Sequence, residues 1–281
     1  MIWNTEKEIY ELLSTPAFAS LFSELEANNN KIQYLFYKAR LNPEKETSIK
    51  SFTYGDKIIF KEENSLPVVL INDKKFILDL GAMNSTVRPQ FLFDQFSLEK
   101  MEIMKMLTLK NVLGEQIEAP VISLTAPLVL GGVKTVSSNW VLANLKIPNI
   151  EGVLGLDALL DEFILYPKKG ILSFEKIKWD KRTTFNLQRD YNNTIKSLEF
   201  ICPNKRIFRV DSGSQVFGDV INDFGKIECG KLSMKGKFER ELKKSSAAFE
   251  HDVSGNLGWP WLRNFKAIKV SLKDGLISFE K

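Results

Sequence analysis

Two apolar runs that lead into Asp-x-Gly, one at Asp79 and one at Asp211, constrain this chain more than any other feature. Phe76-Ile77-Leu78-Asp79-Leu80-Gly81-Ala82 matches Phe208-Arg209-Val210-Asp211-Ser212-Gly213-Ser214, with Phe three residues before the Asp in both. Further on, Gly152-Val153-Leu154-Gly155 matches Gly255-Asn256-Leu257-Gly258. Last, Gly170-Ile171-Leu172-Ser173-Phe174-Glu175-Lys176 matches Gly275-Leu276-Ile277-Ser278-Phe279-Glu280-Lys281, and the final four residues are identical. Matched elements in a fixed order signal a duplicated architecture. The copies are unequal: Asp79 to Gly152 spans 73 residues and Asp211 to Gly255 spans 44, so the second is 29 shorter. The extra stretch of the first copy, with Leu107 to Lys110 and Gln116-Ile117 flanking Asn111 to Gly114, reads as a hairpin turning at Gly114. Such a hairpin is a candidate mobile cover.

Composition removes several chemistries. There is one histidine, His251, and there are two cysteines, Cys202 and Cys229, so histidine-rich metal sites and a structural zinc site are not expected. A chain this long needs no disulfide, and both cysteines are expected as free thiols. With 39 Lys and Arg against 35 Asp and Glu, the net charge of +4 is scattered, which gives nucleic-acid binding no support. The start, MIWNTEKEIY, shows no secretory signal, which sets a cytoplasmic expectation. The longest uncharged apolar-leaning run, Ala119 to Val133, has 15 residues with two Pro and two Gly, so no membrane span is expected.

Local patterning divides the chain. From Thr5 to Leu41, apolar residues such as Ile9, Leu12, Leu13, Phe18, Leu21, Phe22, Leu35 and Phe36 recur at helical spacing, with breaks at Ser14-Thr15-Pro16 and Asn28-Asn29-Asn30. Beyond Pro43 the runs become short and β-like, as in Lys57-Ile58-Ile59-Phe60 and Leu66 to Ile71, with a turn at Asn72-Asp73-Lys74-Lys75. The expected organisation is a helical segment over 1–45, a first lobe over 46–182 and a second, shorter lobe over 183–281.

If the two lobes face each other, Asp79 and Asp211 meet. Two carboxylates within about 3 Å cannot both ionise cheaply, so one keeps its proton, and the pair can activate a water while protonating a leaving group. That is general acid–base catalysis without histidine or metal.

From about Ser48 to Lys281 the motif order resembles that of the pepsin-like and retropepsin-like aspartic proteases. LPVVLINDKKFILDLGAMNSTV looks like the first active-site segment of a retropepsin-type lobe, and LVLGGVKTVSSNWVLANLKIPNIEGVLGLDALL like its later strands and short helix. FRVDSGS, NLGWPWLRNF and GLISFEK look like a reduced second lobe. The resemblance implies a mainly β, two-lobed aspartic-protease-like fold with retropepsin-type lobes and a short helical N-terminal segment. It implies an Asp79/Asp211 dyad, Gly81 and Gly213 as points where backbone amides approach the carboxylates, and Ala82, Ser212 and Ser214 as motif support. Gly114, with Leu113 beside it, would sit near the tip of a flap over substrate. A peptide or protein would be the substrate, with no cofactor, no metal and no membrane. One chain with two lobes needs no second copy to pair two aspartates, so a monomer is expected.

Leu80 departs from the family pattern, where Thr or Ser follows the first Asp and its hydroxyl braces the lobes; Ser212 keeps the second brace. Asn256 departs too, standing where the pattern is apolar, and is expected only to adjust packing. One competing reading makes Asp79 and Asp211 turn residues capping strands in a β protein without catalysis; the other keeps the two-lobed aspartic-protease-like cleft as a non-catalytic peptide- or protein-binding module. Asp223-Phe224-Gly225 lacks the apolar residue before the Asp, and a kinase reading of it fails for want of a phosphate loop and a His-Arg-Asp segment. His251-Asp252 is read as a surface loop, Gly131-Gly132 as a hairpin turn, and Trp259-Pro260-Trp261 as core. The N-terminal helices either pack on the first lobe, recruit a partner or cover the cleft. An acid-optimum dyad would sit awkwardly in the cytoplasm unless its carboxyls titrate higher than is usual for the family.

Overall fold

The computed structural model describes residues 56–96, 100–110, 116–124, 128–130, 133–135, 138–143, 145, 147–180, 183–195, 197–216, 218–220, 227–230, 232–234, 240–241 and 253–281, with 35, 38 and 39 of a helical segment ahead of them. Most of the expected N-terminal helices, Leu113, Gly114, Asp223-Phe224-Gly225 and His251-Asp252 lie outside these residues. Leu35 is buried in the main core. Among the described residues no helix is long and apolar enough to cross a membrane.

Paired left-handed residues make tight hairpin turns. Asn64-Ser65 and Asn72-Asp73, all at positive φ, fold β1 (Lys57–Glu63), β2 (Leu66–Ile71) and β3 (Lys74–Leu78) into a meander. After β4 (Thr86–Val87), Pro89 opens helix α1 (Pro89–Gln95), where its missing N–H costs nothing. β5 (Met101–Lys110) and β6 (Gln116–Leu124) then form a long antiparallel hairpin in the stretch unique to the first copy. β7 (Leu128–Leu130) and β8 (Val133–Thr135) pair with each other, while the expected turn at Gly131-Gly132 lies outside the described residues. β9 (Ser138–Leu142) lies between β6 and β4, and β10 (Gly152–Leu154) runs parallel to β3. β11 (Glu162–Tyr166) and β12 (Ile171–Ser173) complete the first lobe.

The second lobe repeats this plan with fewer strands. β13 (Thr184–Leu187), β14 (Glu199–Ile201) and β15 (Ile207–Asp211) form its meander. β16 (Gly218–Val220) follows, then a separate ribbon of β17 (Ile227–Cys229) and β18 (Leu232–Met234), and β19 (Arg240–Glu241). β20 (Gly255–Gly258) runs parallel to β15 and leads into the short helix α2 (Trp259–Leu262), with β21 (Ala267–Ser271) and β22 (Leu276–Glu280) last.

The duplication extends to strand register. In the first lobe Val68, Ile77, Val153, Thr86 and Val141 stand in register across five strands; in the second lobe Glu199, Arg209, Asn256, Asp219 and Arg240 take the same places. The lobes join in an antiparallel run β1–β12–β11–β21–β22–β13, whose central pairing sets Phe163 opposite Val270. One buried apolar cluster is continuous through both lobes, with Phe76, Leu78, Leu80 and Phe163 from the first and Phe200, Phe208, Trp259 and Phe279 from the second. Trp259 and Trp261 are core residues, as expected.

The cysteines correct the sequence reading. Cys202 and Cys229 are not free thiols but form a disulfide, with Cα atoms 5.0 Å apart. The bond ties the start of the β14–β15 turn to the end of β17, anchoring a two-stranded ribbon that pairs with no other sheet among the described residues. Disulfides persist mainly in oxidising compartments, so this bond bears on the expected cytoplasmic setting. Replacing both cysteines by serine is expected to lower the unfolding free energy by about 3 kcal/mol, given the 27-residue separation, as measured by urea denaturation.

Candidate active site

Each aspartate sits where an inner strand ends and the chain turns sharply. The Asp79 amide N–H donates to the Leu154 carbonyl at 2.9 Å, fixing the end of β3 against β10. Ala82 N–H closes the turn on the Asp79 carbonyl at 3.2 Å, and Ser214 N–H does the same on Asp211 at 3.3 Å. The carbonyls of Ala82 and Ser214 then accept from Leu156 and Trp259, both at 2.9 Å, which binds each turn to the short helical turn after β10 or β20. Ala82 and Ser214 therefore hold the two turns through their backbones.

The two turns meet across the lobe interface, and glycine permits the approach. A methyl group on Gly213 would lie 2.4 Å from Asp79 Cγ, and one on Gly81 would lie 2.9 Å from Asp211 Cγ. Each glycine rests against the other lobe's carboxyl, which no residue with a side chain could do. Gly81 N–H and Gly213 N–H donate to Asp79 Oδ1 at 2.8 and 3.2 Å. The Asp79 and Asp211 carboxyls are close enough to share a hydrogen bond, and Asp79 is raised from 3.8 to about 7. Burial is the largest cause and the neighbouring Asp211 charge the second; the two glycine amides pull the other way.

Ser212 braces this arrangement. Its hydroxyl is fully buried, accepts from Leu80 N–H at 2.8 Å and donates to the Leu78 carbonyl at 2.7 Å, so one side chain of the second lobe holds both sides of Asp79. Leu80, at the equivalent place in the first lobe, has no hydroxyl to return the contact and is instead buried in the common core. One of two symmetric braces is present, and apolar packing occupies the place of the other.

Several contributors were not legible as site residues. Asn256 does more than adjust packing: its Nδ2 donates to Asp211 Oδ2 at 2.6 Å. Its only sequence signal is a polar residue in a slot that is Val153 in the first lobe. Ser85 Oγ donates to Asp157 Oδ1 at 2.6 Å and accepts from Gly155 N–H at 3.0 Å, which fixes the turn behind Asp79. Glu62 on β1 accepts from Trp259 Nε1 at 3.0 Å and from Arg263 Nη1 at 2.7 Å, tying the first lobe to α2. The strands of the expected flap hairpin are present, while its tip with Leu113 and Gly114 lies outside the described residues. Among the described residues no three His, Cys, Asp or Glu side chains gather as a metal site.

The sequence matches no protein-family model and no curated protein. Among solved structures, the aspartic proteinase from Irpex lacteus aligns with a TM-score of 0.51 and 9% identity, covering 80% of this chain and 96% of that one. The fold is that of an aspartic proteinase. The basic 7S globulin from soybean aligns with a TM-score of 0.47 and 11% identity over the same shares of the two chains. At these identities the likeness concerns the fold.

Two consequences are measurable. Ser212→Ala leaves Leu80 N–H and the Leu78 carbonyl buried without their partner, an expected loss of about 2–4 kcal/mol in urea unfolding. Asp79 holds its proton more tightly in the folded chain than in the unfolded one, so the stabilisation this brings is complete below about pH 4 and is lost as pH rises through about 7. The unfolding free energy of the wild type minus that of Asp79→Asn is therefore expected to fall between pH 4 and 7.5, measured by urea titration at both ends.

Proposed function

We propose that the chain is an aspartic endopeptidase acting as a single polypeptide on an extended peptide or protein segment. The observation that carries this reading is the reciprocal packing of Asp79 and Asp211 on Gly213 and Gly81, with Asp79 raised to about 7. A pair in that state holds one proton and one negative charge near neutrality, the condition for acid and base to act in the same step. One carboxylate takes a proton from a water that attacks the scissile carbonyl carbon, and the other carboxyl gives its proton to the carbonyl oxygen. The β5–β6 hairpin is the flap of this reading and closes over the bound strand. A value about 7 also eases the conflict between an acid–base dyad and a near-neutral compartment.

Leu80 supports a second reading, a non-catalytic cleft that binds peptides, because one cross-lobe hydroxyl is missing from the brace. Carboxylate placement has to hold within about 0.5 Å, and a one-sided brace is the weakest part of the site.

Mass-spectrometric mapping of cleavage in a denatured-proteome peptide library separates the two. The wild type is expected to cut between pH 4 and 7, with turnover declining above about pH 7 as Asp79 ionises. Asp79→Asn and Asp211→Asn are each expected to lose at least about 100-fold in rate. Cleavage that persists in both variants would refute the dyad, and peptide binding by all three proteins with no cleavage would establish the binding cleft instead.

A further inference from the structure

The two carboxyls are symmetric in backbone setting but not in their side-chain partners. Asp79 receives two backbone N–H groups, both on Oδ1. Asp211 receives a side-chain amide on Oδ2, from Asn256 at 2.6 Å. Asn256 is 2% exposed, lies on β20 beside the end of β15, and has Val153, with no polar atom to offer, as its counterpart in the first lobe. Its Oδ1 is buried with no hydrogen-bond partner among the described residues, and its amide nitrogen is engaged by Asp211.

We propose that Asn256 is a positioning residue that breaks the symmetry of the pair: its amide holds Asp211 as the carboxylate, so the shared proton rests on Asp79. An ionised carboxylate only accepts hydrogen bonds, and a donor to it forms a bond roughly twice as strong as one to a neutral group. A short N–H contact from a buried amide therefore favours the charged form of the residue it touches; the two glycine amides on Asp79 both fall on Oδ1 at longer distances and leave its Oδ2 free to carry the proton, whereas Asn256 holds Asp211 Oδ2. The raised Asp79 agrees with this distribution. The charged groups on the neighbouring strands are Arg209 on β15, 3.7 Å from Glu199 on β14, and Asp219, which stands in register with Asn256 on β16. On β3, Lys75 is bound to Glu63 and Lys74 stands at the exposed start of the strand, while β10 and β20 carry no charge.

The assignment rests on the endopeptidase reading for its chemical meaning and gives each carboxyl a role. Asp211 removes a proton from the attacking water while Asp79 protonates the carbonyl oxygen, leaving a neutral gem-diol and a pair whose protonation is exchanged. Asp211 then gives its proton to the amine nitrogen as the C–N bond breaks, and a diol hydroxyl returns a proton to Asp79. The pair ends as it began.

The test is a carboxyl-carbon NMR titration of the full chain labelled with 13C-aspartate, with resonances assigned by Asp79→Asn and Asp211→Asn. In the wild type the titration step near neutrality is expected on the Asp79 carbon. In Asn256→Val, and in the smaller Asn256→Ser if the first does not fold, that step is expected to divide between the two carbons. The kcat for a cleaved peptide is expected to fall at least tenfold with KM changed less than twofold. A wild-type step centred on Asp211, or a step left wholly on Asp79 in the variants, would overturn the assignment. The expected titration with no peptide turnover by the wild type would instead refute the endopeptidase reading and leave the proton assignment standing.

Discussion

Everything at the centre of this molecule follows from two carboxyls being pressed against glycine backbone of the opposite lobe. The approach leaves no room for a Cβ at Gly81 or Gly213. It requires both inner strands to end at matching heights, which the parallel pairings of β3 with β10 and of β15 with β20 provide. It also requires the lobes to stay in register, which the β11–β21 pairing and the Ser212 hydroxyl provide. Bringing two acidic groups so close is costly, and the pair relieves that cost by keeping a proton.

The lobes use one backbone plan with different side-chain chemistry. The row Val68, Ile77, Val153, Thr86, Val141 is largely apolar in the first lobe, where Val68 and Ile77 pack with Leu66 and Ile150, and Val141 packs with Met104, Ala119 and Val121 of the hairpin strands. In the second lobe the same register positions hold Glu199, Arg209, Asn256, Asp219 and Arg240. The second lobe has no counterpart to the long β5–β6 hairpin among its described residues. Within this row, Asn256 brings an amide within reach of Asp211.

The sequence made the duplication legible because glycines and alternating apolar residues mark backbone positions directly. Phe76 and Phe208, both fully buried, recur at one step of strand register, and Gly170 and Gly275 both adopt left-handed turns. The aspartates were legible for the same reason, since their turns carry glycines in fixed places. The disulfide was not, because two cysteines in a chain of 281 residues carry no spacing rule and their meeting depends on tertiary placement. Asn256 is legible as a departure from the apolar pattern, but strand alternation alone does not reveal that its amide reaches a neighbouring strand's end. The clamp of Glu62 on Trp259 and Arg263 joins residues 197 and 201 positions apart and leaves no local trace.

Leu80 opposite Ser212 has a consequence for how such a site can change. In an assembly of two identical halves every substitution occurs twice, and a leucine at this place would remove both braces together. A continuous chain lets one half give up its hydroxyl while the other keeps its own, and lets one half gain an amide where the other retains a valine. Covalent continuity thereby separates two positions that symmetry would force to vary as one, and the two carboxyls become free to specialise.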